Sequence, residues 1–185
     1  MIFLKIFIAG PRLIKNLDEA VEKRLNGICT NNYDVLIGDA DGVDKAVQSY
    51  YASLNYQNVT VYASNGNVRS NVGNWSVETV PVSDNCVGFD FYAAKDIVMA
   101  ESSDYGFMIW NGESRGTLTN IVNLLIREKE VLVYFTPQKT FYTINSNEKL
   151  DMLLSICNKK TQRLYNKITL NHSYALSQLS LFENV

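Results

Sequence analysis

The sequence predicts an α/β protein with a doubly wound, mainly parallel sheet of about five strands and a C-terminal extension. Short apolar runs rich in β-branched and aromatic residues alternate along the chain with longer segments of helical periodicity. The apolar runs lack polar alternation, as expected for strands covered on both faces. Polar, glycine-containing turns follow three of these runs, at the strand ends where doubly wound sheets bind ligands.

The five strands are identified by their apolar runs. They are predicted over 2–9, 33–37, 59–63, 105–110 and 130–135. The first run has no basic segment before it and leads directly into a turn. It is therefore interpreted as a core strand rather than a secretion signal.

Helices are predicted between the strands. The first is expected to be capped by Asn16, with Glu19 three residues later as in a capping box. The later ones are predicted over 43–54, 89–100 and 117–128. The irregular residues 64–88 form either a functional lid or a segment with a short strand over 75–82.

The character of the chain changes after Pro137. Residues 1–137 are interpreted as the ligand-binding domain, and residues 138–185 as an extension packed on that domain or on a partner chain. Within the extension, a short helix is predicted over 148–157, and 165–182 is expected to be a strand or an extended tail.

The composition limits the cellular location and the binding partners that are expected. The chain has 185 residues, of which 46% are hydrophobic and 19% charged, as in a globular domain with a substantial core. No apolar stretch approaches the ~20 residues of a membrane span, and the three cysteines suggest no disulfide framework, so a cytoplasmic location is predicted. The net charge of -2 and the pI of 5.4 predict no general nucleic-acid binding. Because His172 is the only histidine, no metal site is predicted, and no cofactor is expected.

The polar turns are Gly10-Pro11-Arg12, the segment 38–44 and the segment 111–117. Free backbone N–H groups and a helix dipole meet at the start of a helix that follows such a turn, which favours anion binding. One pocket for a phosphate-bearing small molecule is therefore predicted. The candidate ligand-binding residues are Gly10, Pro11, Arg12, Gly38, Asp39, Ala40, Gly42, Lys95, Asn111, Gly112, Ser114, Arg115, Gly116 and Thr117.

The third turn is the strongest phosphate candidate. Backbone N–H groups at Gly116 and the hydroxyl of Thr117 are expected to hold phosphate oxygens. The alternative is a plain helix cap, either at Thr117 or at Ser114. Arg115 lies within the same turn and is expected to approach the phosphate.

The other candidates have distinct chemical roles. Asp39 is expected to accept hydrogen bonds from ribose hydroxyls, and the guanidinium of Arg12 to clamp a phosphate unless it pairs with Asp39 or Asp41. Lys95 is expected to approach a phosphate from the third helix. Trp75, in the irregular segment, is the candidate to cover a base.

Four motifs follow one another in the chain: IAGPR at 8–12, GDADGVD at 38–44, KDIVMA at 95–100 and WNGESRGT at 110–117. In this order they resemble the SLOG superfamily of Rossmann-like nucleotide-binding proteins, near its YspA-like branch. That superfamily includes the Lonely Guy phosphoribohydrolases and DNA-processing protein A. The resemblance covers roughly residues 1–135 and implies a Rossmann-like fold with a nucleotide ligand.

The sequence departs from the Lonely Guy signature Pro-Gly-Gly-x-Gly-Thr-x-x-Glu, whose Glu takes part in cleaving the ribose–base bond. Here the Gly-Thr is Gly116-Thr117, Asn120 stands at the Glu position, and residues 112–114 replace Pro-Gly-Gly. The resemblance thus implies a retained phosphate cradle without the catalytic carboxylate.

The predicted function is binding of a nucleotide or nucleotide-derived molecule, as a sensor or sequestering module. One alternative is an N-glycosidic-bond hydrolase resembling the phosphoribohydrolases, for which Glu113, Asp39 and Asp96 are the available acids. Another is an assembly protein with a vestigial pocket, in which the extension contacts a partner or a second copy of the chain. No catalytic residue is assigned.

Overall fold

Seven strands form one sheet in the order β4-β3-β2-β1-β5-β6-β7. The computed structural model describes the backbone of residues 4–182 and the side chains of residues 4–171. All neighbouring strands are parallel except β6 and β7, which are antiparallel. The strands are β1 (Lys5–Ala9), β2 (Asp34–Gly38), β3 (Val59–Ser64), β4 (Ser76–Val80), β5 (Tyr105–Trp110), β6 (Val131–Phe135) and β7 (Thr140–Ile144).

Six helices of the described residues 4–182 cover the two faces of the sheet. They are α1 (Glu19–Thr30), α2 (Val43–Ser53), α3 (Phe89–Ser102), α4 (Arg115–Ile126), α5 (Asn147–Ser155) and α6 (Lys159–Phe182). The apolar faces of α1 and α2 pack on one side of the sheet, and those of α3 to α6 on the other. Within residues 4–182, no helix is both long and apolar enough to span a membrane.

The strand order reverses at β1. The chain moves outward from β1 to β4 on one side and then returns to place β5 on the other side of β1. The carboxyl ends of β1 and β5 therefore diverge into a crevice, which is the position of ligand sites in doubly wound sheets. This confirms the predicted α/β class and the mainly parallel sheet, but the sheet has seven strands rather than about five.

The two additional strands lie at the edges of the sheet. β4 is the short strand that the sequence left as an alternative to a lid, and four of its five residues are exposed. β7 was not expected, because its sequence TFYTI lies in the polar extension. Edge strands need only one apolar face, so their sequence signal is weak.

The expectation of a strand or extended tail over 165–182 is wrong, because α6 spans this segment. The buried side chain of Ile168 and the half-buried Leu164, one helical turn apart, both pack on the core. The side chain of His172 lies outside the described residues.

The predicted cap at Asn16 is also wrong. The helix begins later, with Asp18 as its N-cap, and Asp18 makes no capping hydrogen bond from its side chain. Its carboxylate instead accepts a hydrogen bond of 2.6 Å from the hydroxyl of Tyr134 on β6.

The extension is joined to the rest of the chain through the sheet and the core. β7 pairs with β6, and Ile144, Leu150 and Ile168 belong to the same buried cluster as Phe7 of β1. The division of the chain at residue 137 stays a prediction.

Candidate functional site

A cavity of about 670 Å³ opens in the crevice at the carboxyl ends of β1, β2 and β5. The first turns of α3 and α4 and the beginning of α6 complete its walls. The structure brings together these predicted residues in its lining: Gly10, Pro11, Arg12, Gly38, Ala40, Lys95, Asn111, Ser114, Gly116 and Thr117. Their role in binding a ligand stays a prediction.

The turn before α4 is held by its own side chains. The Oδ1 atom of Asn111 accepts hydrogen bonds from the amides of Glu113, at 3.1 Å, and Ser114, at 2.9 Å. The Ser114 hydroxyl then caps the helix, accepting from both the amide and the hydroxyl of Thr117. The next two amides, those of Arg115 and Gly116, have no acceptor among the described residues. The turn thus combines a helix cap at Ser114 with free donors beside the cavity.

Two of the predicted glycines are explained by packing alone. A Cβ atom on Gly10 would lie 2.6 Å from a methyl group of Val43 and 2.7 Å from the carbonyl oxygen of Ile109. Gly42 has a φ of 82°, and a Cβ there would strike the backbone of Arg12. These glycines let α2 and the loop after β1 approach each other, and Gly42 does not line the cavity.

Asp39 is engaged within the protein. Its buried carboxylate accepts hydrogen bonds from the backbone amide and the guanidinium of Arg69, the shortest being 2.6 Å. Burial alone would raise the pKa of Asp39, but the hydrogen bonds and charge of Arg69 hold it below its ordinary value. Asp39 therefore holds the segment after β3 in place through Arg69, and it does not line the cavity.

A buried group of ionisable side chains forms the floor of the cavity. Lys95 contacts Asp96 at 2.7 Å, and the amide of Asn120 donates to the other oxygen of Asp96 at 3.2 Å. Burial raises the pKa of Asp44 to about 7, with the charge of Asp96 adding to the rise and that of Lys95 opposing it. Burial alone would lower the pKa of Lys95, but the carboxylates of Asp96 and Asp44 raise it above its ordinary value.

Arginine side chains contact aromatic rings at the mouth of the cavity. The guanidinium of Arg12 lies 5.2 Å, and that of Arg69 4.4 Å, from the ring centre of Tyr92. Arg115 does not line the cavity but lies 4.0 Å from the ring of Phe89, which does. Among the residues described, Arg12 forms no ion pair, so neither Asp39 nor Asp41 is its partner.

Two further candidates lie elsewhere. Gly112 faces the ring of Phe135 on β6, and its carbonyl accepts a hydrogen bond from Thr161. Trp75 is buried in the cluster under α1 and α2, where its indole N–H donates to the carbonyl of Tyr56 at 2.8 Å. The expectation that Trp75 covers a base is therefore wrong.

The acids proposed for the hydrolase alternative already have partners. Asp39 is bound to Arg69, and Asp96 to Lys95 and Asn120. Glu113 is exposed and accepts a hydrogen bond of 2.9 Å from Asn158.

Sequence reasoning missed several residues of the lining. Phe89 and Tyr92 were detectable in principle, because a helix following a parallel strand begins at the same edge of the sheet as the polar turns. Arg69 lies in the irregular segment, where no periodicity predicts its direction. Lys160 lines the cavity from the first turn of α6, which the sequence did not predict as a helix.

The fold matches a solved structure of DNA processing protein A from Helicobacter pylori, described for its single-stranded DNA binding mode. The TM-score is 0.57 and the sequence identity 15%, over 91% of this chain and 81% of that chain. No protein-family model and no curated protein sequence matches the chain. The likeness shows a Rossmann-like α/β fold, and membership of the SLOG superfamily stays a prediction.

This comparison corrects the prediction that the chain does not bind nucleic acid. A protein with the same fold binds single-stranded DNA, so the fold gives no ground for that exclusion. The net charge of -2 describes the whole chain, whereas Arg12, Arg69 and Lys160 are gathered around one cavity. Local charge, not net charge, decides contact with phosphates.

Proposed function

We propose that the protein binds a nucleotide in this cavity, with a phosphate group at the start of α4. The observation that carries the proposal is the pair of unpartnered amides at Arg115 and Gly116, at a helix N-terminus beside a cavity of about 670 Å³. Such amides and the helix dipole favour an anion. The volume is in the range of small-molecule sites.

The side chains around the cavity support binding of a nucleotide with its phosphate at the start of α4. The cations of Arg12 and Lys160, which form no ion pair among the described residues, line the cavity and attract an anionic ligand. The rings of Phe89 and Tyr92 offer flat apolar surface to a base. Sensing or sequestration is the role we propose, since the acids named for hydrolysis are engaged with other residues.

Replacing Gly116 by alanine is expected to weaken nucleotide binding at least about 10-fold without harming the fold. A Cβ at Gly116 meets nothing within 4 Å, so the methyl group occupies the space in which we place the phosphate. Alanine is also the better helix former, and the free energy of unfolding should rise by up to about 1 kcal/mol. Calorimetric titration with the 5′-mono- and diphosphates of the four ribonucleosides measures the affinity, and urea unfolding the stability.

Gly27→Ala is the matched control. Gly27 lies in α1 and does not line the cavity, and a Cβ there also meets nothing within 4 Å. Gly27→Ala should raise the free energy of unfolding by a similar amount and leave the affinity for nucleotides unchanged. Equal affinity in both variants would place the phosphate elsewhere, and no binding of any nucleotide by the unaltered protein would overturn the proposed function.

A second candidate is binding of single-stranded nucleic acid across the mouth of the cavity. The structural neighbour binds single-stranded DNA, and stacked arginines and aromatic rings suit unpaired bases. Tyr92 is 39% exposed, and the guanidinium groups of Arg12 and Arg69 both lie near its ring.

Tyr92→Ala is expected to weaken binding of a fluorescent dT12 or U12 oligonucleotide roughly 5- to 100-fold, the effect of losing one stacked base. Fluorescence anisotropy at low and moderate salt measures it. The control is Tyr105→Ala, because Tyr105 is similarly exposed but lies at the amino end of β5. Absence of oligonucleotide binding at low salt removes this candidate and leaves the mononucleotide proposal standing.

A further inference from the structure

The floor of the cavity contains a carboxylate and an ammonium group that lie close together without pairing. Asp44 and Lys95 both lie against the Cα of Gly38: a Cβ there would be 2.7 Å from Lys95 Nζ and would strike Asp44 Oδ2. The two charged groups do not pair with each other, although the described residues include four other ion pairs. Gly38 is therefore a glycine because both groups approach its backbone.

Asp44 has an oxygen without a protein partner. Its side chain is buried, and Oδ2 accepts one long hydrogen bond, 3.3 Å, from the amide of Ala40. Oδ1 accepts no hydrogen bond among the described residues. It is not fully buried, because every fully buried side-chain nitrogen or oxygen of the described residues has a hydrogen-bond partner. It keeps contact with the cavity, which Asp44 lines. A carboxylate can accept several hydrogen bonds, so this group is left able to accept one from a ligand.

Lys95 offers the complementary donor. Its ammonium carries three N–H groups, and the hydrogen bond to Asp96 is the one it makes with the described residues. Lys95 is as buried as Asp44 and also lines the cavity. The floor thus presents to the cavity a free acceptor, Oδ1 of Asp44, and free donors on the ammonium of Lys95.

We propose that these two groups bind a hydroxyl group of the ligand's ribose, which donates to Asp44 and accepts from Lys95. The inference rests on the proposed nucleotide binding and identifies the sugar as the part of the ligand that reaches the floor. A phosphate is disfavoured there by the carboxylates of Asp44 and Asp96, and a cation by Lys95. A hydroxyl group is neutral and carries a donor and an acceptor on one oxygen, which matches an acceptor and a donor that lie close together.

The test compares sugars on one base. Adenosine 5′-monophosphate and its 2′-deoxy and 3′-deoxy analogues are titrated into the unaltered protein and into the variants Asp44→Asn and Asp41→Asn. The same series is then repeated with guanosine 5′-monophosphate and its deoxy analogues. The unaltered protein should prefer the ribonucleotide over at least one deoxy analogue by about 10- to 100-fold, as expected for a hydrogen bond to a charged group. Asp44→Asn should reduce that preference to less than about 3-fold. Asp41 is exposed and does not line the cavity, so Asp41→Asn should keep it.

The outcomes separate this inference from the proposed function. Binding of all three sugars with equal affinity overturns the inference alone, as does selection among bases without selection among sugars. A preference that survives in Asp44→Asn also overturns it. Failure of every nucleotide to bind overturns both the inference and the proposed function.

Discussion

Asp44→Asn is expected to raise the free energy of unfolding at pH 8 by up to about 4 kcal/mol. In the folded protein burial raises the pKa of Asp44 from 3.8 to about 7, and one pKa unit corresponds to about 1.4 kcal/mol. The folded state keeps the proton between these two values and the unfolded state loses it. The contribution of Asp44 to stability therefore falls as the pH rises from about 4 to about 7.

Asparagine has nearly the same shape and no proton to lose. The stability advantage of the variant should be small near pH 4 and largest above pH 7, in urea unfolding at pH 4, 6 and 8. The charges that face Asp44 are Lys95 and Asp96 on α3, and Asp39 after β2. Loss of attraction to Lys95 offsets part of the gain. An advantage independent of pH would contradict the assignment of a buried, readily protonated carboxyl.

Gly42→Ala is expected to lower the free energy of unfolding by about 3 kcal/mol or more. The φ of 82° at Gly42 is unfavourable for any residue with a side chain, and the new Cβ would strike the backbone of Arg12. A backbone obstacle cannot move aside as a flexible side chain does, so the loop after β1 must shift. Urea or thermal unfolding followed by circular dichroism measures the loss.

Gly88→Ala separates the effect of a positive φ from the effect of a collision with neighbouring backbone. Gly88, the N-cap of α3, has a φ of 65°, but a Cβ there meets nothing within 4 Å. It therefore carries the conformational strain without the collision, and its loss should be about 1–2 kcal/mol, below that of Gly42→Ala. If the two variants lose equal stability, the contact between Gly42 and Arg12 does not hold the loops together.

The sequence predicted the central part of the fold because β1, β2, β3, β5 and β6 are buried runs with a clear apolar signal. It did not predict β7 or the helical form of 165–182. In α6 the apolar contacts are few and widely spaced, with Ile168 its one buried apolar residue in the described part of the chain. Such segments take their structure from the surface on which they pack.

The candidate site, like the fold, was predicted from the sequence only in part. Position along the chain predicted which turns meet at the crevice, because parallel strands place their carboxyl ends together. It did not show which charged groups pair within the protein. Asp39 was expected to face a ribose, but Arg69, 30 residues later in an irregular segment, occupies its carboxylate. Asp44, in the first turn of α2, lies beside Lys95 on the floor.

The beginning of α6 completes the turn that precedes α4. Thr161 donates a hydrogen bond to the carbonyl of Gly112, 49 residues earlier, and Asn158 donates to Glu113, 45 residues earlier. A chain is synthesised from its amino end, so a growing chain that has not reached residue 158 contains this turn without either donor. The wall in which we place the phosphate therefore acquires its last two hydrogen bonds only after all seven strands have been made.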